Sequence, residues 1–524
     1  MTRPPTRFLR RVALPLAIAA LGGAAVLGPA VPAAAVTAVC DVARSALDLN
    51  ADGYDDAVVG DPYATVAGRA EAGAVVVLYG DGDGRVGEGR RLLITQGSVN
   101  GSRVEAGDRF GWAVALDDAD GDGCADLLVG SPGETWAGQP AAGIAHLITF
   151  TADGRGGPGT GRARVFADRE VESGDQFGYA VALLDGGSGS EDAWVAIGAP
   201  GEDVGAARDA GAVTTFGYSE LGVSDSGYGV QGGSLPGTAE AGDRLGAAVL
   251  VTPEEAFVVG APGDAVRRGG VLVDGAGSVT SWNPLLAGHQ VLTQESAGVP
   301  GTAEAGDQFG ASLAFSESDR RATGPQTLAV GSPGEDVGRV ADAGSVTLLD
   351  DQPGTDADAF GSLRGLRTLT QDSPGVAGGV EAGDRFGHAV TFVPDTATAA
   401  TLAVGAPYED VGTATDAGMV STVSVVGESR QGVAGPGYTE SSPGTPGTVA
   451  RGNRFGLAVS AIEGRNESLL AVASPYQQAG SVFVVARSGG VDRPRAWLPG
   501  RGDVPALTSG RFGWALSGRN SQEG

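Results

Sequence analysis

The same phrase returns along this chain at intervals of about seventy residues. It opens as Ala-Gly-Asp-Arg-Phe-Gly, runs through an apolar strand to Val-Gly-Ala-Pro, and closes on Ala-Gly-x-Val. The opening stands at Phe110-Gly111, Phe177-Gly178, Leu245-Gly246, Phe309-Gly310, Phe386-Gly387, Phe455-Gly456 and Phe512-Gly513. The proline of the second part falls at Pro62, Pro132, Pro200, Pro262, Pro333, Pro407 and Pro475. A period of this size means one supersecondary unit copied many times, with neighbouring copies burying each other's apolar faces. It also points function towards a repeated surface.

The copy from Asp108 to about Ala167 reads as four short strands. Phe110 to Leu116 alternates in polarity, and Asp126 to Gly130, Gly143 to Phe150 and Arg162 to Phe166 follow between Gly, Pro and Asp breaks. Such punctuation belongs to antiparallel β-structure, and no window beyond the N-terminal segment has helical periodicity. Four strands per copy, seven times over, predict an all-β fold: a seven-bladed β-propeller of four-stranded antiparallel blades. The last copy breaks off after its first strand, at Ala515-Leu516, and the first lacks a Phe-Gly opening. Each end lacks what the other supplies, so the ring is expected to close by pairing the N- and C-terminal segments, which would hide two raw sheet edges.

Residues 1–35 read as a signal peptide. Arg3, Arg7, Arg10 and Arg11 precede an apolar run from Val12, and Ala33-Ala34-Ala35 offers a cleavage site. Residues 36–524 are then expected to form a single propeller, secreted and without membrane insertion. Removal of the leader's four arginines takes the formal net charge from −28 to about −32. That balance argues against nucleic acid, whose phosphates call for basic grooves, and suits a chain that holds divalent cations. Two cysteines are present, Cys40 and Cys124. In an oxidising compartment a Cys40–Cys124 disulfide is one reading and two separate thiols the other; spacing does not choose between them.

Two copies carry an acidic loop of the form Asp-x-Asp/Asn-x-Asp-Gly-x-x-Asp. The first is Asp48, Asn50, Asp52, Gly53, Tyr54 and Asp56; the second is Asp118, Asp120, Asp122, Gly123, Cys124 and Asp126. Oxygens at positions 1, 3, 5 and 9, with a backbone carbonyl at position 7 (Tyr54, Cys124), can converge on one ion, and hard oxygen ligands in this number favour Ca²⁺. An EF-hand would need Glu at position 12, where Val59 and Val129 stand. The bland alternative is an acidic turn whose Asp side chains cap backbone amides. Two Ca²⁺ sites of structural role are expected, beside the closure of the ring.

A second acidic set comprises Glu202-Asp203, Glu335-Asp336 and Glu409-Asp410 after the proline, Asp209, Asp342 and Asp416 before Ala-Gly, and Asp108, Asp175, Asp243, Asp307 and Asp384 before Phe-Gly. It is expected on the face opposite the acidic loops, bonding loop amides and pairing with Arg109, Arg244 or Arg385 of neighbouring blades; the alternative is a binding rim. Neither a G-x-S-x-G elbow nor an H-E-x-x-H motif occurs. His388 reads as packing, His146 as a strand residue and His289 as a loop residue. No catalytic residue is assigned. Arg501-Gly502-Asp503 reads as coincidence in a chain so rich in these residues.

Phe-Gly followed by Gly-Ala-Pro, with an acidic loop between them, resembles the FG-GAP repeats of integrin α-subunit propellers. Similar arrays occur in bacterial secreted proteins and in the C-terminal part of some phospholipase D enzymes. The resemblance covers about residues 40–524. It implies an integrin-α-like extracellular binding or cell-adhesion module, a monomer whose ligand is a protein or glycan. The alternative is an extracellular hydrolase, phospholipase- or esterase-like, using an acidic propeller face.

Overall fold

The computed structural model describes residues 47–517, apart from 51, 81–85, 100–101, 152–162, 186–192, 220–221, 254, 283–287, 317–325, 353–361, 397–398, 427–430, 444, 465–466, 487–494, 502–503 and 509. Seven four-stranded antiparallel sheets make a seven-bladed propeller. Blade two runs Val114–Asp117, Asp126–Ser131, Ile144–Ile148 and Ala163–Phe166, in simple up-and-down order. Blades three to seven repeat this order, with one small hairpin, Val266–Arg268 against Val271–Val273, inserted in blade four. Blade one is made from both ends of the described chain. Its strands Ala57–Asp61, Ala74–Gly80 and Val86–Ile94 are completed on the inside by Ala515–Leu516. Val59 pairs with Leu516 and Gly60 with Ala515, which is the closure expected from the broken first and last copies.

Among the described residues the hydrophobic core is not one body but a series of seven clusters, one at each blade junction, with a small eighth around Val266, Ala276 and Ala303 at the blade-four hairpin. Leu47, Val75 and Tyr79 of blade one pack with Leu116, Leu127 and Val129 of blade two, and comparable clusters follow around the ring. The series ends where Ile462, Leu469 and Val482 of blade seven meet Val59 and Val76 of blade one. Each junction contains the aromatic, or Leu245, of the Phe-Gly opening, fully buried. Burial of one such side chain stabilises by roughly 2–3 kcal/mol.

The opening phrase is not itself strand, as its alternation suggests. The first strand of blade two starts at Val114, and Phe110 instead forms an isolated parallel bridge to Gly73 of blade one. Arg109 and Gly111 on either side have φ of 57° and 87°, a turn that breaks the extended run. The same bridge recurs as Gly143 with Phe177, Gly211 with Leu245, Gly344 with Phe386 and Gly480 with Phe512. The opening of each blade is therefore a clasp on the blade before it.

One close approach explains both signature glycines. A Cβ on Gly130, in the second strand of blade two, would fall inside van der Waals distance of the carbonyl oxygen of Gly178, in the opening of blade three. Gly198 stands in the same relation to Gly246, Gly260 to Gly310 and Gly405 to Gly456. Blade seven has Ala473 at this position, and it faces Gly513 of the closing segment.

Candidate metal centre

In blade two the acidic loop joins the strands Val114–Asp117 and Asp126–Ser131; in blade one it leads into Ala57–Asp61. The two loops are hydrogen-bonded almost identically. The position-1 carboxylate accepts the N–H of the position-6 glycine, Gly53 to Asp48 at 2.6 Å and Gly123 to Asp118 at 2.8 Å. Both glycines have positive φ, 84° and 88°. Position 3 accepts from position 5, Asp52 to Asn50 at 2.9 Å and Asp122 to Asp120 at 3.3 Å. Position 5 accepts from position 7, Tyr54 to Asp52 at 3.1 Å and Cys124 to Asp122 at 2.8 Å. Successive Asx turns of this kind curl the chain around its own carboxylates.

The position-9 aspartates, Asp56 and Asp126, are completely buried. One oxygen of each takes the N–H at position 2, Leu49 or Ala119, both at 2.9 Å. The other takes the N–H of the next strand of the blade or its extension, Gly80 or Phe150, both at 2.8 Å. This carboxylate fixes the loop to its sheet.

Asp118, Asp120 and Asp126 each offer an oxygen, and the three lie within 4.8 Å of one another. Burial pushes the Asp118 carboxyl up to about 7, and burial with the Asp120 charge lifts Asp126 well above the usual carboxylate range. Burial likewise raises Asp52 and, much more, Asp56. Groups so placed resist ionisation unless positive charge compensates them. A hard divalent cation fits this donor set, which is all oxygen and anionic. Blade one carries an amide, Asn50, where blade two has Asp120. The capping bonds of the bland reading are present too, and they leave carboxylate oxygens converging in blade two. Cys124 is fully buried at position 7; Cys40 lies outside the described residues, as do residues 1–35, read above as a leader, and the Gly502-Asp503 pair.

The second acidic set lies at the opposite ends of the strands, in the loops joining second to third strands and blade to blade. Its main work is to bind loop amides. Asp108, Asp175, Asp243, Asp307 and Asp384 each accept the N–H of the Glu three residues earlier, at 2.5 to 2.7 Å. Asp203, Asp336 and Asp410 accept from Asp209, Asp342 and Asp416, each at 2.9 Å. The glutamates after the proline reach the preceding blade: Gln96 donates to Glu134 at 2.7 Å, Gln294 to Glu335, and Gln371 to Glu409 at 2.5 Å. In blade three the donor to Glu202 is Tyr228, at 3.0 Å.

The arginines before Phe-Gly do something sequence reading missed. Arg109 pairs with Glu71 at 3.2 Å, while Arg244 and Arg385 lie over the rings of Tyr179 and Tyr408. Arg454 sits between Tyr408 and Tyr476, and Arg511 between Tyr476 and Tyr63, all at 4.2 to 4.8 Å from the ring centroids. Trp112 and Trp514 extend the arc beside Tyr63. Its sequence signal was Tyr after the repeat proline at 63, 408 and 476. His388 packs against Tyr408, and His146 is buried in its strand against Phe110. His289 opens the strand His289–Leu292, the outer strand of its sheet, rather than lying in a loop, and it is exposed.

The family model for the FG-GAP repeat matches residues 45–78 and 110–148. Integrin alpha pat-2 of Caenorhabditis elegans is 36% identical over 114 residues, 21% of this chain and 8% of that protein. Phosphatidylinositol-glycan-specific phospholipase D of Bos taurus is 39% identical over 92 residues, 17% of this chain and 11% of its own length. Among solved structures, the Cps50 (Swd1) β-propeller domain of Myceliophteria thermophila covers 80% of this chain and 91% of its own, at 11% identity and a TM-score of 0.43. No helix among the described residues is long and apolar enough to cross a membrane.

Proposed function

We propose that this FG-GAP-repeat, integrin-α-like propeller is a secreted, calcium-braced binding module for an extracellular protein or glycan. The observation that carries the calcium reading is the shared geometry of the two acidic loops, which in blade two brings three carboxylate oxygens within 4.8 Å of one another. Asp48, Asn50, Asp52 and Asp56 would hold one ion, and Asp118, Asp120, Asp122 and Asp126 the other, with the carbonyls of Tyr54 and Cys124 as further donors. A bound cation supplies positive charge that lets the buried carboxylates ionise together. The rest is the chain's own work: Asp56 and Asp126 tie each loop to its sheet, and both loops belong to the blades beside the closure. That is where a brace has most effect, since the closing strand pairs through only two residues.

Binding is supported by the architecture: the acids of the opposite face are largely spent on loop amides, which describes a rigid platform. A purified chain screened against envelope glycans and extracellular proteins is expected to show saturable binding without turnover. The phospholipase D relatives favour one competing reading, and a phospholipid and ester hydrolysis screen tests it. Turnover abolished by neutralising the acids of that face would replace the binding module with a hydrolase.

A further inference from the structure

Three arginines gather where the innermost strands begin, on the face opposite the acidic loops. Those strands touch from blade to blade around the axis, and Trp112, His388 and Trp514 stand just before three of them. Arg385 and Arg454 lie over the same ring, Tyr408, at 5.8 and 4.8 Å from its centroid. Arg454 and Arg511 share Tyr476, at 4.2 and 4.3 Å. Like charges thus follow one another with a single ring between each pair. Burial, then the charges of Arg385 and Arg454, hold His388 down to about 4. Stacking fixes a guanidinium in place without neutralising it. Among the described residues, ion pairs join Arg109 to Glu71 and Arg268 to Glu295, and none involves Arg385, Arg454 or Arg511. This happens in a chain with 63 acidic residues against 35 basic ones. The Nε of Arg454 is also buried without a hydrogen-bond partner, so the described chain does not answer its charge.

The plainer reading is that these stacks only stiffen blade contacts. Two blades argue against it. Gln176 and Gln308 hold the same place in the repeat, with φ of 58° and 60° where Arg385 and Arg454 have 55° and 56°. Phe177 and Phe309 beside them are as fully buried as Phe386 and Phe455. The clasp therefore forms without a cation, and the arginines are free for another task. Next to Arg511, whose guanidinium is 4.5 Å from the Tyr63 centroid, Tyr63, Trp112 and Trp514 form one half-buried cluster. Guanidinium and indole only donate hydrogen bonds, and a phenol donates or accepts. A peptide brings an N–H with nearly every carbonyl, and this surface has few acceptors for them. An acidic sugar suits it better. A carboxylate accepts from the guanidinium fork, hydroxyls accept as well as donate, and the C–H face of a pyranose matches an aromatic lining. The second acidic set shares this face, and like charges repel. That disfavours a long polyanion and favours one acidic residue at the end of a glycan.

We propose that the axial end of the ring on this face binds a glycan ending in a uronic acid, its carboxylate held by Arg385, Arg454 and Arg511 and its pyranose laid against the cluster of Tyr63, Trp112 and Trp514. The inference rests on the binding function put forward above, and gives that function a place and a ligand class.

The test is isothermal titration calorimetry of the full chain with a disaccharide ending in glucuronic acid and with its counterpart ending in glucose. Arg385→Gln, Arg511→Gln and Trp112→Ala are titrated beside the unaltered chain. Glutamine is the residue the repeat itself carries at this place, so the arginine variants are expected to fold. The acidic probe should bind saturably. The glucose probe, and each arginine variant with the acidic probe, should bind at least tenfold more weakly, about 1.4 kcal/mol. Trp112→Ala should weaken both probes alike. Should Arg511→Gln unsettle the closure of the ring, Arg385→Gln, at the junction of blades five and six, carries the test. Absence of saturable binding of the acidic probe overturns the site, as does binding that Arg385→Gln leaves unchanged. If the chain then binds a protein or another glycan in the broader screen, this site falls and the binding module stands. If that screen also yields no ligand, both fall.

Discussion

The backbone N–H of Ala125 donates to the backbone carbonyl of Asp48 at 2.9 Å, so the acidic loop of blade two is tied to the first residue of the loop in blade one. The two candidate centres are therefore mechanically joined across the first blade junction. Chelation is expected to lower the melting temperature, and Asp52→Ala with Asp122→Ala to abolish that response. At a hundredfold excess over Kd, one bound ion contributes about 2.7 kcal/mol. Differential scanning calorimetry with and without chelator measures this. An unchanged melt would remove calcium from the loops.

The glycine contacts predict an asymmetry around the ring. Gly198→Ala places a methyl against the carbonyl of Gly246, with backbone on both sides, so neither partner can rotate away. Overpacking of this kind costs about 1–3 kcal/mol, and strand separation would add to it. Ala473, already tolerated beside Gly513, should accept glycine at a cost near that of an ordinary strand Ala→Gly change, about 1 kcal/mol or less. Urea melts of Gly198→Ala and Ala473→Gly give the comparison. Equal midpoints would show that the signature glycine serves something other than blade contact.

Glu202 is expected to make stability fall as pH rises. Burial, then the charge of Asp168, pushes its carboxyl up to about 8, and burial pushes Asp168 itself to about 6. One oxygen of each is buried without a hydrogen-bond partner. Because the folded pKa exceeds the unfolded value, the folded state holds the proton more tightly. The contribution is complete below the unfolded pKa, near 4, and is lost as pH climbs to 8. In chelator, the melting temperature should decline from pH 5 to pH 8.5, and Glu202→Gln should flatten the decline and raise the melt at the alkaline end. A variant with the same slope as the unaltered chain would refute this assignment.

Much of this architecture could be read in the sequence because its determinants are local and repeated. Phe-Gly and Gly-Ala-Pro mark the same turn and strand end in each copy, and the broken first and last copies announced the closure. The acidic loops were legible for the same reason, since nine consecutive residues carry the ligand pattern. What escaped was whatever depends on neighbours brought together only by the ring. The extended reading of Phe110 failed because its partner, Gly73, belongs to the previous blade. The stacking of Arg511 between Tyr63 and Tyr476 joins residues from distant parts of the chain. Likewise Gln231 and Asp264 meet across a blade junction, and no spacing in the sequence encodes that meeting.

Cys124 sits fully buried within its loop, and the chain holds one other cysteine, Cys40. The expected product is a Cys40–Cys124 linked peptide in a non-reducing digest, with no thiol labelled in the unfolded, unreduced chain. In the chain-entropy account a loop of this length contributes on the order of 4 kcal/mol, so reduction should lower the melt. Labelling of both thiols would dismiss the bridge.

Closure gives the sharpest contrast between copies of one residue. Phe309 and Phe512 hold the same place in the repeat, and both are fully buried. Phe309 lies where blades four and five follow each other in the chain, so a loosened junction remains tethered on both sides. Phe512 lies where blade seven meets blade one, held by the two residue pairs of one short strand pair, the bridge to Gly480 and bonds such as Arg511 N–H to Asp61 at 2.7 Å. Truncation of a buried Phe to Ala costs about 3–5 kcal/mol wherever it stands. At the closure, opening also frees two chain ends whose loop-closure entropy is then regained. Phe512→Ala should therefore lower the melting temperature more than Phe309→Ala and admit protease selectively near both ends of the propeller. Limited proteolysis with mass mapping, beside the two melts, checks both halves of that expectation. Equal melts with scattered cleavage would mean that the seventh junction is no weaker than the others.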